Sequence, residues 1–217
     1  SKFNPVTVLK GSLSKSSSNA NLRRTLVVIQ FAISMVMLIC TAVVYRQLKF
    51  MRNKDLGFNQ TGVVSLKVDA DGDFRGQINA LKNEIRKDPA VISVSSSDNI
   101  PGSAGVNFNL FSIESKKGFT DKGVDNYGID GDYLQTLGIK LVRGRGFSAS
   151  SPADTLNSVI VNESMVKTFG WDNALGKRIK NPGDTSGRFM EVVGVVKDFN
   201  QKSLYNPIAP MMLFYRP

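Results

Sequence analysis

The residues of this sequence that could do chemistry are a few carboxylates and two glycine-basic clusters. Asp69, Asp71 and Asp73 alternate in DADGDF, as the first ligands of a calcium loop do. Such a loop needs glycine at its sixth position and glutamate at its twelfth, and Phe74 and Ala80 stand there instead, so the stretch reads as a solvated turn. Asp130 and Asp132 have the spacing of an imaginable acid-base pair, but no activating neighbour is visible and their place after a strand suits a helix N-terminus. GRG at 144–146 and ALGKRIK at 174–180 combine glycine with basic residues, as phosphate loops do. Arg178 follows Gly176 and Lys177, and no glycine stands five residues before Gly176, so these read as turns between short strands. Asn162 in NES fits a glycosylation acceptor by pattern and, more economically, a helix cap. The one tryptophan, Trp171, reads as a core or lobe-edge residue.

What is missing narrows the chemistry further. There is no histidine, which removes the usual general base, metal ligand and near-neutral switch. Cys40 is the single cysteine, so neither a disulfide framework nor a thiolate cluster can form within the chain. The residues predict a chain that is not an enzyme, with no catalytic residue, no bound cofactor and no metal.

The element that dominates the sequence is NLRRTLVVIQFAISMVMLICTAVVYRQL. Its uncharged run, 25–44, has 20 residues, and at about 1.5 Å per residue reaches about 30 Å, the thickness of a bilayer's hydrocarbon core. The run predicts a membrane span carried by Thr25, Leu26, Val27, Val28, Ile29, Phe31, Ile33, Val36, Leu38, Ile39, Val43 and Val44. Gln30, Ser34 and Thr41 do not forbid it, because a helix bundle satisfies them and hydroxyls also bond to the preceding turn. Arg23 and Arg24 close one edge; Tyr45, Arg46 and Lys49 close the other, as interface residues do. A signal peptide would need a small-residue cleavage site where YRQLKFMRNKDLGF stands, and a buried central helix would need a larger host than the rest of the chain.

Charge follows the same division. Residues 1–60 hold nine Lys or Arg against Asp55 alone, and residues 61–217 hold nineteen against seventeen acids. Basic clusters beside a span meet lipid headgroups, whereas nucleic acid would want a basic face on the folded domain, so a lipid bilayer and no nucleic acid are expected as partners. Lys and Arg flank both ends of the run, and their counts alone do not orient it.

Before the run, a polar lead ends in a serine-rich link over 12–18. The helix is expected to continue beyond the bilayer as a stalk, with Leu48, Met51 and Leu56 extending an apolar stripe that needs a partner, until Gly57 caps it. Strands are expected at 62–69 and 90–98, around a helix whose face is Ile78, Leu81 and Ile85 and which Pro89 ends, making a β-α-β unit. GVNFNLFSIE and GVDNYGID read as two more strands. Beyond Tyr133 come a short helix, a glycine-rich turn and loop through 141–150, an exposed SPADTLNS, a strand at 159–161, a helix capped by Asn162 and stopped after Phe169, a short strand or turn in NALGKRIK, and strands in RFMEVVGVVKDF and APMMLFYR. The fold class is α+β, a β-α-β lobe beside a small β-rich lobe.

The apolar run with its flanks, followed by GRGFS, VIVNESMVKTFGWDNALGKRI and FMEVVGVVKDFNQKSLYNPIAPMML, resembles the MacB/FtsX family of ABC transporter permeases, specifically the two-unit version of Bacteroidota, across essentially the whole chain. The resemblance implies a long transmembrane and stalk helix followed by a MacB-like periplasmic core domain. On this sequence that gives a cytoplasmic or membrane-surface lead (1–22), the helix (23–57), a porter-like lobe (58–138), a small β-rich lobe (139–187) and return strands toward the membrane (188–217). It implies a bacterial inner-membrane location with residues after about 45 in the periplasm, a partner ABC ATPase using ATP and Mg, and a second permease copy as dimer partner. It also implies further spans, so that this sequence would be a segment of a longer polypeptide, with Leu48, Met51 and Leu56 coupling the stalk. A membrane-tethered sensor ectodomain, marked by a polar pocket in the head, and a soluble α+β domain with a buried helix are the alternatives.

Overall fold

A computed structural model describes residues 16–68, 75–102, 106–116, 118–183 and 187–216. The lead 1–15 and the Asp69, Asp71 and Asp73 turn lie outside the described residues. Helix α1 (Ser16–Asn53) is 38 residues long and contains no glycine, proline or acid, so nothing in its interior stops propagation. It begins at Ser16 rather than near Arg23, taking in serines expected in a flexible link, because serine and asparagine cost a growing helix only about 0.5 kcal/mol each. Thr41 Oγ1 donates to Met37 O at 2.8 Å, satisfying the hydroxyl within the helix. The helix stops at Asn53, earlier than the expected cap at Gly57, where the Asp55 carboxylate accepts the Gly57 amide at 2.8 Å and turns the chain.

The chain divides into two units, Ser1–Lys54 and Asp55–Pro217. The second, the head, contains α2 (Arg75–Ile85), β1 (Asn107–Ser115), β2 (Gly118–Ile129), α3 (Tyr133–Thr136), β3 (Leu141–Gly144), α4 (Pro152–Asn157), β4 (Ser158–Asn162), α5 (Glu163–Thr168), β5 (Arg178–Lys180), β6 (Met190–Val196) and β7 (Met211–Tyr215). The sheet order is β3-β6-β4-β7-β2-β1-β5, and β5 also pairs with β6, so the sheet closes on itself. β2 with β7 and β4 with β6 are parallel; the other ladders are antiparallel.

Alternation along the central strands builds one core on each face. Val159 and Val161 of β4, with Met212 of β7 and Val124 of β2, pack with Met165 of α5 and Trp171. Ile160, Met211, Leu213, Tyr215, Tyr127 and Ile129 face the other way and are covered by Tyr133, Leu137, Phe147 and Phe199. Asn162 caps α5 as expected, its Oδ1 accepting the amides of Met165 and Met211, each at 3.0 Å, while its Nδ2 donates to Ala209 O at 2.9 Å. That side chain is fully buried, which removes it as a glycosylation acceptor.

Several expectations change. Among the described residues, 62–68 join no ladder, with Gly62 in a turn, and 90–98 meet the sheet only at the Ser97–Ile129 bridge, so α2 lies between segments with strand pattern that form no strand of the sheet. Alternation predicts a strand only where a neighbouring edge exists, and Val64 and Leu66 are exposed here. Residues 141–144, expected as turn and loop, form β3 on the edge of β6. SPADTLNS, expected to be exposed, forms α4 and buries Asp154. The sheet also runs across the lobe boundary expected at Gly138: β2 pairs with β7, and β1 with β5.

Candidate coupling site

The chain leaves α1 at Asn53 and within a few residues is fastened to the head. Leu56 O accepts the Asn200 amide at 2.8 Å, and the Asn59 amide donates to Leu137 O at 2.7 Å. Between them Phe58 packs, half-buried, against the core of Phe199 and Leu137. Gly57 sits at φ +82°, and a Cβ there would stand 2.7 Å from Asp198 O and 2.8 Å from Phe199 Cβ. Gly138, at φ +63°, would bring a Cβ to 2.5 Å from Asn59 Nδ2. The two glycines therefore let a four-residue strap, 56–59, lie directly on two loops of the head.

The loop beneath the strap is itself anchored. Phe199 is fully buried, and the Asp198 carboxylate accepts Ser164 N at 2.9 Å and Ser164 Oγ at 2.7 Å. Glu163 answers by accepting the Asp198 amide at 3.1 Å. A pull on Leu56 thus meets the start of α5 and, through Asn162, strands β4 and β7.

Two buried carboxylates stiffen the rest of the head. Asp130 accepts from Lys82 and from Ser96 N (2.8 Å), while Asp132, which stands at the N-cap of α3 as expected, accepts from Arg86, so the two carboxylates dock α2. Asp154 has no exposed side-chain surface and is gripped by both Arg145 guanidinium nitrogens at 2.7 Å, with Ser148 N at 2.8 Å and Ser158 Oγ at 2.9 Å. The Arg145 hydrogen bonds hold its carboxyl well below the usual carboxylate range. The GRG stretch therefore serves this ion pair, not a phosphate.

Tyr127 and Tyr133 meet hydroxyl to hydroxyl at 3.2 Å, and Tyr127 donates to Gln201 Oε1 at 3.2 Å. Burial pushes the Tyr133 phenol up to about 12 and raises Tyr127 as well. The unfolded phenols ionise near pH 10, so folded stability is intact below that value and falls as pH rises through the folded pKa. Denaturant titration of the double variant Tyr127→Phe/Tyr133→Phe should show a lower midpoint at pH 8 but a shallower loss above pH 10; an unchanged alkaline slope would contradict this origin.

The expected span residues, from Thr25 to Val44, are all exposed on α1. Leu48 and Met51 continue along the same helix, 50% and 40% exposed, sharing a face with Val44. Leu56 does not: it lies beyond the helix, half-buried at the strap, because α1 ends at Asn53. The fastening partners Asn59, Gly138, Asp198, Phe199 and Asn200 were not singled out from sequence; only the isolated glycines hinted at them. No group of three or more His, Cys, Asp or Glu that could hold a metal occurs among the described residues. A cavity of about 20 Å³ between Asp125, Gln201 and Lys202 has room for about one water.

One exposed helix, Ala20–Asn53, with a mean hydropathy of 2.6 over its most apolar part, is long and apolar enough to cross a membrane. With the closed-sheet α+β head that follows, it defines the class: a membrane-anchored α+β domain. Residues 25–214 match the family model of the MacB-like periplasmic core domain, and the chain belongs to that family. It is therefore a MacB/FtsX-type permease domain of the bacterial inner membrane, α1 being the anchor and the head facing the periplasm.

Three solved structures are similar. The periplasmic region of MacB from Actinobacillus actinomycetemcomitans shares 20% identity over 63% of this chain and 54% of its own, with a TM-score of 0.45. A domain of a putative permease protein from Porphyromonas gingivalis shares 21% over 54% and 52%, with a TM-score of 0.39. The extracellular domain of the noncanonic ABC-type transporter YknZ from Gram-positive bacteria shares 19% over 62% and 59%, with a TM-score of 0.43. The match thus spans little more than half of each of those chains. No curated protein matches the chain.

Proposed function

We propose that this chain transmits motion, driven by ATP hydrolysis in a partner ABC ATPase, from membrane helices to the periplasmic head, for export, extraction or signalling. Residues 25–44 cross the bilayer, 45–53 form the stalk, and 188–217 lead back toward the membrane. ATP and Mg act in the partner, and a second permease copy completes the working unit. The observation that carries this reading is the strap: a helix meant only as an anchor tolerates a loose linker, whereas a helix that moves a head needs the short, fastened connection made by Leu56, Gly57 and Asn59.

Val44, Leu48 and Met51 supply the face that meets a neighbouring helix of the same machine. Replacing Leu48 and Met51 with serine in the complete permease, reconstituted with its ATPase, should leave ATP hydrolysis running while output per ATP falls about tenfold, because two polar side chains no longer grip the neighbouring helix. Unchanged output per ATP would reject the stalk's role.

A further inference from the structure

Beyond the apolar run, α1 carries Arg46, Lys49 and Arg52, with Lys54 just past its end, all exposed, and the helix has no acidic residue to neutralise them. This is the end that leads to the periplasmic head. Lys and Arg usually gather at the cytoplasmic end of a span, yet here the outward end matches the other, with four cations within nine residues past the run against Lys10, Lys15, Arg23 and Arg24 in the fifteen before it. A cationic cluster this dense on the outward side calls for an anionic partner outside the membrane.

The geometry selects which one. Arg46 lies about 3 Å and Lys49 about 7 Å along the helix axis past Val44, within a headgroup layer about 5–8 Å thick. Arg52 lies about 12 Å past it, and its long side chain can reach back toward that layer. Arg46 and Lys49, three residues apart, share a face roughly opposite Leu48 and Met51, so a helix partner on the apolar side leaves these two facing lipid, while Arg52, four residues after Leu48 and three after Lys49, lies at the margin between the two faces. Lys54 instead places its Nζ 5.5 Å from the Phe50 ring centroid. Guanidinium groups match phosphate oxygens with paired hydrogen bonds, and an ammonium adds a point charge.

We infer that Arg46, Lys49 and Arg52 form a binding site for the phosphates of anionic lipids in the periplasmic leaflet, which fixes the height and rotation of the stalk. This rests on the reading of α1 as a span with its head outside.

The test is lipid retention. The full chain, incorporated into nanodiscs of mixed phosphatidylcholine and phosphatidylglycerol, is released and its bound lipids are counted by native mass spectrometry. The wild-type chain should retain phosphatidylglycerol preferentially, and R46Q/K49Q/R52Q should lower that preference about fivefold or more. R23Q/R24Q should keep most of it. Glutamine is close to Lys and Arg in helix propensity, so unchanged far-UV circular dichroism verifies that the helix persists. Equal retention of the two lipids, an undiminished preference in the triple variant, or a preference lost only in R23Q/R24Q would each overturn the site. So would a triple variant with intact lipid selectivity but weakened permease assembly, which would assign the cations to an acidic protein face. A chain that alkaline carbonate strips from the bilayer would refute the span itself, a result distinct from a retained chain without lipid preference.

Discussion

Gly57→Val should release the strap and cut output per ATP in the complete permease by at least about tenfold, with ATP hydrolysis continuing. A valine at φ +82° is strained by about 1–3 kcal/mol. Its Cβ would also sit 2.7 to 2.9 Å from Asp198 O and from Phe199 Cβ and Cα, atoms that no rotamer change can move aside. The cheapest relief is for residues 56–59 to lift off, giving up two backbone hydrogen bonds at about 1 kcal/mol each and the half-buried Phe58. Destabilisation therefore saturates near what the strap contributes, about 2–4 kcal/mol, and the head stays folded while its fastening opens. Denaturation of the detergent-solubilised chain gives the stability part, and ATPase and output measured together give the coupling part. Full coupling in a variant with lowered stability would separate the strap from force transmission.

Arg145→Met should lower the thermal midpoint of the head by about 5–10 °C at pH 7, corresponding to about 2–3 kcal/mol. The variant leaves the Asp154 carboxylate with no exposed side-chain surface and only Ser148 N and Ser158 Oγ as donors. The figure lies at the low end for a broken buried pair because Arg145 is itself half-exposed and water can enter its place. The pH dependence identifies the cause. Asp154 has its folded pKa depressed below the unfolded value near 3.9, so its stabilisation is present above about pH 4 and is lost as pH falls through the folded pKa. Without Arg145 that depression shrinks, and the wild-type and variant curves should converge as the solution is acidified below pH 4. A gap that stays constant from pH 7 to pH 3 would mean that Arg145 acts by packing alone.

What the sequence made legible was what depends on composition and local pattern. The long helix with its uncharged run, the Asn162 cap, the strands of VIVN, MEVVGVV and MMLFY and the α+β class all follow from periodicity, capping residues and β-branched runs. The family motifs pointed to the domain that the family model then matched. Features that depend on a distant partner were not legible. Whether 62–68 and 90–98 pair is decided by the presence of an adjacent edge, which alternation does not encode. The end of α1 was displaced by one short-range competitor, the Asp55 carboxylate on the Gly57 amide. Asp154 looked like part of an exposed polar loop because its arginine partner stands nine residues away and only the fold closes that gap. Gly57 was visible as a breaker, but its function is set by Asp198 and Phe199, more than 140 residues further on.

The fastening of strap to head is the physical core of this account, and amide hydrogen exchange at Asn59 and Asn200 tests it most directly. In the assembled permease, measured with and without nucleotide on its ATPase, both amides should stay protected in both states, because the strap keeps its bonds to Leu137 O and Leu56 O while the helices move. Exchange of both amides at the rate of an open loop in either state would show a free hinge between stalk and head and would contradict the transmission of motion through residues 56–59.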